Sequence, residues 1–131
     1  MNNIKKITLA SIALASICVT TAAAQIGVTR KIQIQEDLDI PGYQIILAEV
    51  TIDVGGREGR HRHSGMLVGQ VIRGQLTLYV EGQPTREYSP GDSITIPPGV
   101  IHEGINNGDE PIVAVATFVV PKDEPVTTQA D

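Results

Sequence analysis

The chain has 131 residues, 41% of them hydrophobic, with 10 Lys+Arg against 15 Asp+Glu and a net charge of −5. This length suits one domain with a single core. A negative balance without a long basic run argues against nucleic acid or an anionic membrane surface as the partner.

The amino terminus carries the signs of an export signal. Lys5 and Lys6 precede an apolar, acid-free run from Ile7 to Val19, and Ala22-Ala23-Ala24 supplies the small residues that signal peptidase requires. Residues 1–24 are therefore expected to be removed before Gln25, leaving a protein of the periplasm or medium with no membrane contact. The 107 remaining residues lose Cys18, the one cysteine, and with it any disulfide or thiolate chemistry. They also lose Lys5 and Lys6, so 8 Lys+Arg face 15 Asp+Glu, a charge of −7.

From residue 25 the pattern is that of strands. Lys31-Ile32-Gln33-Ile34-Gln35 alternates apolar and polar, marking residues 25–42 as an N-terminal strand segment. A β-branched run covers 43–54, and further runs cover 67–72, 76–80, 93–96, 101–105 and 112–120. Turn signals separate them: Pro41-Gly42, Gly55-Gly56, Arg73-Gly74, Glu81-Gly82, Pro90-Gly91, Pro97-Pro98-Gly99 and Asn107-Gly108. Short strands at this spacing predict an all-β sandwich or barrel over residues 43–120. The polar residues 121–131 are expected to form a flexible tail.

The chain has three histidines, and all fall in two short motifs. His61 and His63 are separated by one residue, so on a strand they point to the same face. His102 on a neighbouring strand can complete a facial set of imidazoles. Arg60 and Arg62 alternate with the first two and are expected to face away, while Glu103 is expected to point away from the face of His102.

The two stretches read G-x5-H-x-H-x10-G, from Gly55 through His61 and His63 to Gly74, and G-x5-P-x-G-x2-H-x3-N, through Gly91, Pro97, Gly99, His102 and Asn106. They resemble the paired motifs of the cupin family, over about residues 43–120. The resemblance implies a single-domain cupin β-barrel, a double-stranded antiparallel β-helix of jelly-roll type, with a metal held by His61, His63 and His102. Family members carry a metal-binding glutamate three or four intervening residues after the second histidine. Leu67 and Val68 stand there instead. Gln70 and Glu103 are expected to face the wrong way to replace it, and Glu49 and Glu58 have no position fixed by pattern.

Three neutral imidazoles suit Zn²⁺, Fe²⁺, Cu²⁺ or Ni²⁺ rather than hard oxygen-seeking ions. Met66, Leu67 and Val71 are the expected pocket wall, an aliphatic one that favours a small enol, dione or carboxylate over a flat aromatic ligand. Two functions follow as expectations. One is a metal-dependent enzyme similar to the single-domain cupin dioxygenases; the other is a non-enzymatic cupin of the cell envelope that binds or senses a small ligand, with or without metal. A homodimer through edge strands is a further expectation, with residues 26–35 as the segment that covers the open edge.

Overall fold

The computed structural model describes residues 25–131; the expected export signal, residues 1–24, lies outside them. The described residues form ten strands and no helix: β1 (Ile26–Asp37), β2 (Tyr43–Arg57), β3 (His61–His63), β4 (Met66–Arg73), β5 (Leu76–Val80), β6 (Arg86–Tyr88), β7 (Ser93–Ile96), β8 (His102–Ile105), β9 (Ile112–Pro121) and β10 (Thr127–Gln129). Every pairing is antiparallel, along the path β10-β3-β8-β2-β9-β4-β7, with β1 added to β2 and the β5–β6 hairpin added to β8. The sheet curls into a nearly closed barrel, as the all-β reading of the sequence requires.

Alternation of side chains builds the core. On β2, Ile46, Ala48, Val50 and Ile52 are buried while their odd-numbered neighbours are half-exposed. The register sets Ile46 opposite Phe118, Ala48 opposite Ala116 and Ile52 opposite Ile112, so β2 and β9 line the same interior. β4 continues this layer, with Leu67 opposite Phe118 on one side and Ile96 on the other. Gly74 turns the chain from β4 to β5 at φ 76°, and a Cβ there would lie 2.7 Å from the Pro111 carbonyl oxygen, so conformation and crowding both demand glycine.

The expected flexible tail is corrected by the fold. Thr127–Gln129 pair with β3, setting Thr127 opposite His63 and Gln129 opposite His61. The Ala130 amide donates to the Arg60 carbonyl at 2.9 Å, and Ala130 is buried. The physical reason is the free edge of β3, a three-residue strand whose outer backbone groups need partners; a polar sequence can supply a strand when the pairing is at an edge.

Candidate metal centre

β3 and β8 bring the three histidines together. His61 is paired directly with His102 across the two strands, and His63 lies two residues along on the same face. All three are buried, and one ligand atom from each lies within 4.8 Å of the others. Ring centroids are 4.3 Å apart for His61 and His102 and 4.9 Å for each of the other two pairs. Phe118 packs edge-on against His63 at 4.8 Å.

The backbone fixes which nitrogen of each ring is free. Nδ1 of His61 lies 2.8 Å from the Gly59 carbonyl oxygen, Nδ1 of His63 lies 3.0 Å from that of Val126, and Nδ1 of His102 lies 2.9 Å from that of Val100. A carbonyl only accepts, so each Nδ1 carries the proton and donates it. Nε2 is then left with its lone pair in all three rings, the form a metal takes. Burial drives the same outcome. It pushes the His63 imidazolium down to about pKa 3, helped by the neighbouring His61 and His102 and opposed by the Val126 carbonyl. His102 is lowered from its ordinary range by burial and by His61, against the Val100 carbonyl and Glu58. Tautomerically fixed and clustered on one face, this donor set fits one divalent ion.

The histidines open on a cavity of about 70 Å³, whose wall is mainly aliphatic: Leu67, Leu76, Leu78, Ile94, Ile96 and Ile112. Leu67 faces it, as expected. Met66 is 40% exposed and Val71 lies fully buried in the core; neither lines this cavity. Gln70 is at the rim, its amide turned to the Gly91 carbonyl at 3.2 Å. Glu103 faces away from the histidines as its parity requires, yet it is buried, because Arg57 pairs with it at 2.6 Å. Arg60 likewise turns away, to Glu81 at 2.8 Å.

Two lining residues had no signal in the sequence. Glu58, just past β2, reaches the cavity and accepts from the Gly104 amide at 3.1 Å and from Arg30 at 2.9 Å. Arg30 comes from β1, opposite Val50, whose side chain is inward. Their meeting depends on the register of β1 on β2, which no motif encodes.

No match is found among curated proteins. Among solved structures, the chain is similar to a cupin-like protein from Thermotoga maritima (24% identity, covering 79% of this chain and 75% of that one, TM-score 0.65). It is similar to a cupin domain from Bordetella pertussis (30% identity, covering 74% and 97%, TM-score 0.60). It shares its fold with the polyketide cyclase RemF from Streptomyces resistomycificus (20% identity, covering 82% and 73%, TM-score 0.66). The family model of the cupin domain matches residues 48–120, a stretch that runs from within β2 to within β9 and carries all three histidines. The chain belongs to the cupin family.

Proposed function

We propose that this protein binds one divalent metal ion through Nε2 of His61, His63 and His102 and acts on a small molecule in the adjoining cavity, as a dioxygenase-type enzyme on a small enol, dione or carboxylate. The observation that carries the reading is the set of three Nδ1–H···O=C bonds, which leaves Nε2 of three clustered rings with its lone pair. Three neutral imidazoles would leave a bound Zn²⁺, Fe²⁺, Cu²⁺ or Ni²⁺ its full charge and open positions, hence Lewis acidity or oxygen chemistry according to the metal. The protein's own part is exclusion and orientation. The aliphatic wall keeps bulk water away and the small volume selects small ligands. Elemental analysis of protein purified from its native compartment tests the reading, with about one metal per chain expected.

One observation favours the second reading, a ligand-binding or sensing cupin. Among the described residues Glu58 is the single carboxylate that lines the cavity, and it is already paired with Arg30, which leaves no free carboxylate there to act as a general base. Turnover of a candidate substrate by the metal-loaded protein separates the two.

We further propose export to the periplasm or medium, on the Lys5-Lys6 and Ile7–Val19 sequence with its Ala22-Ala23-Ala24 stop. A homodimer is supported by the apolar residues that β1 and β4 leave exposed, Ile32, Ile34, Val68 and Ile72.

A further inference from the structure

The wall of the cavity is neutral apart from one ion pair, and that pair is built with some care. Among the described residues that line it, Arg30 and Glu58 are the only Lys, Arg, Asp or Glu. Glu58 occupies the space that Gly104 leaves by having no side chain: a Cβ at Gly104 would lie 2.6 Å from Glu58 Oε2. Gly104 is two residues beyond His102 on β8, so the carboxylate lies on the histidine face of that strand. Oε2 is anchored by the Gly104 amide, Oε1 holds Arg30 Nη2, and the Glu58 amide itself donates to the Gly104 carbonyl at 2.9 Å. The guanidinium is therefore held from behind by a carboxylate that β8 holds in turn.

This ion pair engages Nη2 alone, and a guanidinium carries five N–H donors in a planar fork that matches a carboxylate. The Arg30 side chain lines the cavity and is 28% exposed, so its guanidinium is within reach of both water and a ligand in the cavity. A surface ion pair needs no such seat: Arg73–Glu110 and Lys122–Asp37 are both wide open to water and line no cavity with the histidines.

We propose that Arg30 recognises the carboxylate of a small organic acid, with the acid's aliphatic part against Leu67, Ile94 and Ile96 and its remaining polar group at the three histidines. The inference rests on the small-molecule reading of this cavity and names its ligand class: an acid rather than a neutral enol or dione. No covalent step is involved.

The test uses 2-oxobutanoate and its neutral analogue 1-hydroxybutan-2-one as probes, titrated into the full-length protein loaded with Co²⁺ and followed by calorimetry and visible absorption. The wild type should bind the acid at least ten-fold more tightly than the analogue. Arg30→Met should weaken the acid ten-fold or more, with less than a two-fold change for the analogue, because it removes the fork and leaves Glu58 uncompensated. Arg30→Lys keeps the charge without the fork and should lose a few-fold, which carries the test should the methionine variant fold poorly. Equal binding of acid and analogue by the wild type overturns the proposal, and so do variants that retain the wild-type preference. If Co²⁺ is not taken up, the metal reading fails instead, and the same preference, weaker, is expected of the metal-free protein.

Discussion

His61 and His102 face each other directly across the β3–β8 pairing, their ring centroids 4.3 Å apart. Two imidazoles so close and so deeply buried cannot both carry a proton without strong repulsion. With His63 they form one buried cluster. A shared metal is the arrangement that uses three lone pairs on one face.

The burial of His63 sets a pH dependence. The His63 imidazolium is pushed down to about pKa 3 in the fold and titrates near 6.5 when unfolded. Between those values the unfolded chain binds more protons, so stability is full above pH 6.5 and falls as pH drops towards 3. The slope reaches about 1.4 kcal/mol per pH unit for each such histidine. Thermal melts of the metal-free protein from pH 4 to 7 should show Tm rising with pH and then levelling, and His63→Gln should flatten the curve.

The C-terminal strand should matter to the metal without touching it. The Val126 carbonyl accepts from His63 Nδ1, and Thr127 Oγ1 lies 3.1 Å from the same nitrogen. Removing residues 126–131 takes away both contacts and bares the outer edge of β3. Metal affinity should fall ten- to a hundred-fold, the usual cost of losing an outer-shell partner, while circular dichroism stays that of a β protein. Unchanged affinity would make β10 a decoration.

Leu67 offers a way to restore the family's ligand set. It faces the cavity from β4, in register with Phe118 and Ile96. Leu67→Glu should add an oxygen donor and raise the preference for Mn²⁺ or Fe²⁺ over Zn²⁺. Without metal the same change should cost about 1–3 kcal/mol, since a carboxylate would sit against an aliphatic wall. Competition titrations and metal-free melts read the two effects separately; an unaltered metal ranking would mean that the side chain cannot reach the ion.

Much of this architecture is legible in the sequence, for definite physical reasons. Period-two alternation places His61 and His63 on one face, and the same rule keeps Glu103 off it and leaves Gln70 only at the cavity rim. Glycine and proline punctuation marks the strand ends. Asn106 is the last fixed position of the second motif. It is buried, donating to the Ile52 and Glu110 carbonyls at 2.9 Å each and accepting from the Gly108 amide. What escaped are contacts made by register over long separations. Arg30 and Glu58 are 28 residues apart and meet only through the pairing of β1 with β2. β10 has no hydrophobic pattern because an edge strand buries little; its place is set by backbone pairing with β3. Glu103 is buried despite its outward parity, because Arg57 compensates its charge.

The central claim is that His61, His63 and His102 together hold one divalent ion. Calorimetric titration of the metal-free protein with Zn²⁺, beside the His61→Ala, His63→Ala double variant, tests it most directly. One ion per chain in the wild type and none in a folded double variant is the predicted result. Equal zinc binding by the two proteins, or none by the wild type, would contradict it.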